Sequence, residues 1–366
     1  MKRKIVALYS PYLDVLGGGE KHILSILQVL EKEEYEINIF WDTNLQKKIE
    51  EQFSLQFSNK INWLPNTFKD SGQARMTFIL NRANNLKQFD MFFYVTDGSY
   101  FLSTAKKNFI FCMVPQKSLY QMNFINRLKT KNCNFICNSK YTQSWLTKWG
   151  IKNQVIYPYI SNDFINLDIN KLKLKKENII LSVGRFFGHL HSKKQSEIIK
   201  AFNKLKQDNS LYKDFKLILA GGLRKEDEQY LNSLRKLVGN KTDIIFVPNL
   251  PFPKLFNLYK KAKYFWHFAG YGVDENATPE LVEHLGITPL EAMSAGCLTY
   301  CYNAGGSREI IQDNKNGFLF DNTDDLLRKM IDCGKAQNII KYGHSFVKDN
   351  FNYKMFEKRV KEVISF

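Results

Sequence analysis

The stretch IILSVGRF, residues 179–186, decides the fold of this chain once it is read with its neighbours. It is a short apolar run that ends in a glycine and an arginine. An amphipathic segment comes next at 192–207, then KLILAGG at 216–222, a second amphipathic segment at 224–238 and DIIFVPNL at 243–250. The series goes on through a helical pattern at 253–262, YFWHFAG at 264–270, a helix start near 289–295 and LTYCYNAGG at 298–306. Short apolar runs separated by helix-period segments predict an α/β unit, a doubly wound parallel sheet covered on both faces.

Working back toward the N-terminus, the same alternation is found. KIVALYS (4–10) reads as a strand, followed by a glycine loop and a helix over about 20–30. EINIFWD (36–42), QFDMFFYVTDG (88–98), KNFIFCMV (107–114) and CNFICNS (133–139) continue the series. Between 160 and 176 the pattern breaks, and this stretch reads as a link without a core segment. At about 150 residues per domain, 366 residues suggest two domains. The expected organisation is a Rossmann-like domain over 1–160 and a second over 161–345. A C-terminal helical segment, 346–366, is placed to cross back to the first. Open α/β sheets bind ligands beyond the carboxyl ends of their strands, so a cleft between two such sheets is the expected site.

Composition narrows the function. The chain is 44% hydrophobic and 24% charged, which excludes disordered, collagenous and coiled-coil classes. Lys and Arg number 53 against 36 Asp and Glu, a net charge of +17 that calls for an anionic partner. No apolar run approaches the roughly 20 residues that span a bilayer. MKRKIVALYSPYL at the N-terminus reads as strand one rather than a signal peptide, and a cytoplasmic location is expected. The six cysteines, at 112, 133, 137, 297, 301 and 333, lack zinc-site spacing and read as reduced thiols.

Four motifs lie on loops after predicted strands. GGGEKH, 17–22, opens the first helix; its glycines admit a ligand close to the backbone, or make a tight turn. Arg185 leaves the end of a strand, with Lys193 and Lys194 at the next helix start. Together they suit a diphosphate clamp, although lysines there also suit a solvated face. PELVEHLGITPLEAMSAGC, 279–297, carries Glu283 and Glu291. Thr288 reads as the N-cap and Pro289 as the first helical residue, so Glu283 sits on the incoming loop and Glu291 in the first turn. Both suit one ligand, with helix amides beside them for a phosphate. Thr288 and Glu291 equally make a capping box that needs no ligand. AGGSREI, 304–310, is a further glycine loop, either lining the same cleft or a plain turn.

These motifs, with NSKYT at 138–142 and NGFLF at 316–320, resemble the retaining nucleotide-sugar glycosyltransferases of the GT-B fold, glycosyltransferase family 4 (glycosyl transferases group 1). The Glu-x7-Glu spacing inside EHLGITPLEAMSAG is the specific part, and its wording is similar to the branch of lipid-linked oligosaccharide mannosyltransferases. The resemblance is strong over 178–322 and weaker over the first 160 residues. It implies that Arg185 and Lys193 hold the donor diphosphate, Lys193 being preferred to Lys194 because it precedes Ala201 by eight residues. It implies that Glu291 binds ribose, Glu283 the donor sugar, and the amides of Gly286, Ile287 and Thr288 sugar and phosphate, with Gly18 and Gly19 approaching the diphosphate from the other domain. His267 is a further candidate, either in the site or packed behind it. One departure is Met113 in FCMVP, where many relatives carry histidine. The family implies retention of anomeric configuration. The chain has no Asp-x-Asp, so no metal and no cofactor beyond the donor, preferably GDP-mannose, is expected.

Residues 98–162 contain no Asp or Glu, although 36 acidic residues in 366 would place about six there. They hold nine basic residues, among them Lys117, Arg127, Lys129, Lys131, Lys148 and Lys152, interleaved with Tyr120, Phe124, Trp145 and Trp149. That pattern suits an anionic membrane surface and a lipid-linked acceptor, or a basic solvated surface over an aromatic core. The expected protein is a hexosyltransferase, peripheral on the inner face of the membrane. Two rivals are weaker. A nucleotide-sugar epimerase or dehydrogenase needs Tyr-x3-Lys and a dinucleotide fingerprint, where the chain has YTQSW and GGGEK. A nucleic-acid binder, suggested by +17, lacks a motif, and its charge is spread evenly along the chain.

Overall fold

The computed structural model describes residues 3–53, 55–68, 75–173, 176–188, 192–330, 332 and 334–364. The chain divides into two compact units, Met1–Pro158 with Glu357–Phe366, and Tyr159–Phe356.

The first unit holds seven strands: β1 (Ile5–Tyr9), β2 (Glu36–Phe40), β3 (Asn62–Leu64), β4 (Met91–Val95), β5 (Lys107–Cys112), β6 (Cys133–Cys137) and β7 (Asn153–Val155). Their order is β3-β2-β1-β4-β5-β6-β7, and every pair is parallel. The second unit holds β8 (Glu177–Val183), β9 (Lys216–Gly221), β10 (Ile244–Pro248), β11 (Ala262–His267), β12 (Leu298–Tyr302) and β13 (Phe318–Phe320). Their order is β10-β9-β8-β11-β12-β13, again all parallel. Helices cover both faces, so central strands are apolar throughout: all five residues of β4, Met-Phe-Phe-Tyr-Val, are buried. The sequence reading missed β3, β7 and β13. Each is a three-residue edge strand held by one neighbour, too short to show a pattern of its own.

In each sheet the strand order reverses once, between β1 and β4 and between β8 and β11. The crevice at such a reversal, at the carboxyl ends, is where helices on opposite faces part and leave room for a ligand.

Residues 160–176 are more than a link. The helix Asn162–Ile165 buries Phe164, whose ring meets Phe256 at 4.8 Å and Tyr259 at 5.3 Å in the second core. Lys176 Nζ donates to the carbonyls of Tyr259, Ala262 and Ala295 at 3.2, 2.8 and 2.8 Å. It thereby closes the carboxyl ends of the helices Phe252–Lys261 and Ile287–Ser294, where a cation opposes the helix dipoles.

At the C-terminus, residues 346–350 belong to the helix Gln337–Asn350, and a separate helix runs Tyr353–Ile364. In the first unit Lys361 pairs with Glu33 at 2.6 Å. Five cysteines are free thiols, and Cys333 lies outside the described residues. Among the described residues no helix is long and apolar enough to cross a membrane.

Candidate functional site

The polar centre of the second unit forms where β8 and β11 part. β8 ends at Val183, and Gly184 and Arg185 come next. β11 ends at His267, which is buried. The chain then loops out and returns with Glu283 just before the helix Ile287–Ser294. Glu283 Oε2 lies 2.7 Å from Lys193 Nζ and 2.7 Å from His267 Nε2. Its Oε1 accepts from the His284 amide at 3.2 Å. A cation from one loop and an imidazole from a strand end therefore meet at one oxygen of a carboxylate carried by a second loop.

Their charges follow from burial and contact. Burial alone would push the Glu283 carboxyl up, but the Lys193 ammonium, followed by His267, overrides it and holds the group well below the usual carboxylate range. Glu283 is therefore ionised and can only accept hydrogen bonds. Burial pushes the His267 imidazole below its ordinary value, against the pull of Glu283. A neutral His267 facing a carboxylate carries its proton on Nε2 and donates it. The field of Glu283 reaches one strand further: burial first, then Glu283, pushes the Cys301 thiol up.

The loop bearing Glu283 is gripped by AGGSREI. Gly306 N donates to the Glu283 carbonyl at 2.7 Å. Gly305 has φ +56°, and a Cβ there would overlap the same carbonyl, while one at Gly306 would overlap the peptide after His284. Only glycines allow this approach. Glu275 anchors the arrangement, accepting from Gly305 N at 2.9 Å and from the Arg308 guanidinium. The glycine loop thus sets the height of Glu283 rather than making a plain turn.

Lys193 reaches Glu283 by passing over Gly184, where a Cβ would overlap its stem. Gln195 Nε2 donates to the Arg185 carbonyl at 2.9 Å, and Tyr230 OH donates to Gln195 Oε1 at 2.9 Å, bracing this corner. Arg185 is exposed; its guanidinium lies 5.4 Å from the Phe187 ring, and among the described residues no carboxylate pairs with it. Lys194 caps the helix Gln195–Asp208 in a left-handed conformation, φ 55°, so it is a corner of the backbone.

Two expectations about Glu291 change. The helix cap is Gly286, φ 103°, not Thr288, and Pro289 is the third helical residue rather than the first. The Thr288–Glu291 capping box does not form. The Glu291 carboxylate instead accepts from Tyr259 OH at 2.8 Å, and burial together with Glu291 pushes that phenol well up. The amides of Ile287 and Thr288 stand in the first helical turn, beyond reach of any intrahelical carbonyl. In the first unit, Gly17 caps the helix Gly18–Lys32 and donates to Glu20 Oε2 at 2.8 Å. Gly18 is exposed, and the space a side chain would take at Gly19 is filled by the Met113 thioether.

The structure thus brings together Lys193, Glu283 and His267, sets Arg185 and Gly286 on loops that lead to them, and puts Ile287 and Thr288 in the first turn of the helix after Glu283. Tyr259, Gln195, Tyr230 and Glu275 escaped sequence reading. Each acts through contacts distant in sequence: Tyr259 reaches Glu291 across 32 residues, Tyr230 reaches Gln195 across 35, and Glu275 reaches Gly305 across 30.

The family model for glycosyl transferases group 1 matches residues 164–347, which contain this site. Among curated proteins the chain is similar to human GDP-Man:Man(3)GlcNAc(2)-PP-Dol alpha-1,2-mannosyltransferase, 29% identical over 202 residues, covering 51% of this chain and 38% of that protein. The match therefore spans well under half the length of the human protein. The chain is also similar to alpha-1,3/1,6-mannosyltransferase ALG2 of Dictyostelium discoideum, 26% identical over 315 residues, 72% of this chain and 71% of that one. Among solved structures a glycosyltransferase from Rickettsia africae superposes with a TM-score of 0.73 at 17% identity over 100% of this chain and 99% of its own, which shows the GT-B fold.

Proposed function

The chain belongs to the glycosyl transferases group 1 family, and from that membership we propose that it transfers a hexose, mannose by preference, from GDP-mannose to a lipid-linked glycan or surface polysaccharide, retaining the anomeric configuration. The observation that carries the reading is the meeting of Lys193 and His267 on one Glu283 oxygen at the carboxyl ends of β8 and β11. The names of the two curated relatives support mannose, and that of the human protein gives GDP-Man as donor and a PP-Dol-linked glycan as acceptor.

In this reading Glu283, ionised and fixed by His267, accepts hydrogen bonds from the donor sugar hydroxyls and orients the ring. Glu291 binds the ribose, exchanging or sharing the bond it accepts from Tyr259. As the sugar–phosphate bond breaks, the anomeric carbon gains oxocarbenium character and the diphosphate gains charge. Arg185, Lys193 and the amides of Ile287 and Thr288 stabilise that charge. Preorganised cations supply what a divalent ion would, so we place the reaction among metal-independent transfers with no further cofactor. The acceptor hydroxyl attacks the face the diphosphate leaves, and its proton passes to a departing diphosphate oxygen. The acid-free stretch 98–162 faces an anionic membrane, and the protein works as a peripheral enzyme on its inner face.

A thermal-shift panel of nucleotides and nucleotide sugars tests the donor site. A ligand that binds only the folded state raises the midpoint. GDP and GDP-mannose are expected to stabilise the wild type and not Glu291→Ala; stabilisation by no nucleotide overturns the donor reading. Proton NMR of the product tests retention, and an inverted anomeric centre overturns it.

A further inference from the structure

We propose that the helix Phe124–Lys129 of the first unit inserts its apolar face into the headgroup region of a bilayer carrying anionic lipid. The inference rests on the membrane part of the proposed function and names the element that makes the contact.

This helix presents its large apolar side chains to solvent. Phe124, Ile125 and Leu128 are 81%, 61% and 62% exposed. Its polar groups bond within the same short segment: Asn123 caps it by accepting from Asn126 N at 2.8 Å, Asn126 Nδ2 donates to the Gln121 carbonyl at 2.7 Å, and Arg127 Nε donates to the Met122 carbonyl at 2.9 Å. A helix of a water-soluble protein does the reverse, burying its apolar stripe. At about 100° per residue, Phe124, Leu128 and Ile125 fall within an arc of about 100°, with Arg127 about 60° beyond one edge and Lys129 about 40° beyond the other. An apolar wedge flanked by cations is the arrangement that lies in a membrane interface.

The surroundings extend it. Leu102 is 50% exposed, and its loop is tied to the chain beyond the helix by Asn132 Nδ2 donating to the Ser103 carbonyl at 3.1 Å. Lys117, Lys131, Lys148 and Lys152 are exposed in the same acid-free stretch. The aromatic residues that suggested a membrane from sequence mostly turn inward: Tyr120 and Trp145 are buried, and Trp149 stacks between them at 5.8 and 5.9 Å. Aliphatic Ile125 and Leu128, with Phe124, take their place at the surface. In the second unit the exposed large apolar residues, Leu211, Leu237, Phe252 and Tyr342, are scattered singly along the chain, as on ordinary surfaces. Nucleic acid would use the cations and leave the wedge in water, so the wedge decides for lipid.

Co-sedimentation with phosphatidylcholine vesicles, with and without phosphatidylglycerol, tests it on the full chain. Wild type is expected to bind the anionic vesicles, less so as salt rises. F124S/I125S/L128S should lower partitioning by roughly thirtyfold or more. R127E/K129E should lower it about thirtyfold or more, and on anionic vesicles only. An unchanged thermal midpoint and unchanged stabilisation by GDP-mannose show that the variants are folded. Wild-type binding that survives the triple serine substitution overturns this inference and leaves the membrane reading standing. Wild type that binds no vesicle overturns both. A wild-type dimer that the triple substitution dissociates, with vesicle binding intact, assigns the wedge to a second copy and overturns the inference.

Discussion

At the strand-order reversal of the second sheet, two loops and the end of β11 bring an ammonium and an imidazole each to 2.7 Å from one carboxylate oxygen. At the reversal of the first sheet, between β1 and β4, the corresponding loop delivers Gly17, Gly18 and Gly19, and the group against Gly19 is the thioether of Met113. Both sheets obey one topology, and both begin with a glycine-bearing loop. In the second unit the glycines press against backbone and so fix a charged group in place. In the first the glycine meets the flexible end of a side chain, and the buried imidazole nearby, His22, packs edge-on against Phe111 at 4.9 Å. Equal architecture therefore leaves the chemistry open, and chemistry depends on which groups the loops bring back to the strand ends.

The sharpest way to break this contrast is Glu283→Gln. It keeps the shape and removes the charge on which Lys193 and His267 converge. Initial rates of transfer from GDP-mannose are expected to fall about a hundred- to a thousandfold, the range for losing one preorganised electrostatic contact. An unchanged rate would mean that the triad is structural.

Acid probes the buried imidazoles next. Burial holds His22 at about 3, against an ordinary 6.5. Below 6.5 the unfolded chain takes up a proton that the folded one refuses, so stability is full above that value and falls as pH falls toward 3. Between about pH 7 and pH 4 the loss through His22 is on the order of 3 kcal/mol. Urea midpoints at the two pH values should lie closer together in His22→Leu than in the wild type. The lowered His267 acts in the same direction, and Glu283 adds its loss at lower pH, once its carboxylate is protonated.

A matched pair of glycine substitutions sharpens the packing side of the comparison. Gly306→Ala drives a Cβ into the peptide after His284, which cannot move without displacing Glu283, and about 2–3 kcal/mol of stability should be lost together with activity. Gly19→Ala meets only the Met113 thioether, which can rotate away, so under about 1 kcal/mol should be lost in a urea titration. Equal losses would show that the two loops are equally rigid.

Much of this was legible beforehand. Nearly continuous apolar runs announced the ten longer strands, and the Glu-x7-Glu segment marked the loop that carries Glu283. Illegible were the short edge strands, because three residues have no period, and the burial of Phe164, which sits in a stretch of mostly polar residues. The cap of the helix after Glu283 was misplaced by two residues. Thr288 and Pro289 form a good local start, but Gly286, with its positive φ, lets the chain turn earlier. Glu291 thereby turns to Tyr259 instead of closing a capping box.

By itself, the sequence determined two parallel sheets, the family, and the loops on which polar groups leave the strands. These depend on local periodicity and on residue types at short spacing, which need no knowledge of distant contacts. The tertiary structure alone decided that Lys193 and His267 converge on one oxygen of Glu283, which is 90 residues from Lys193. It alone decided that AGGSREI sets the position of that carboxylate, and that Phe124, Ile125 and Leu128 point to solvent. Those outcomes depend on where strands end in space and on which side of a helix is left uncovered, and both are fixed only when the chain has packed.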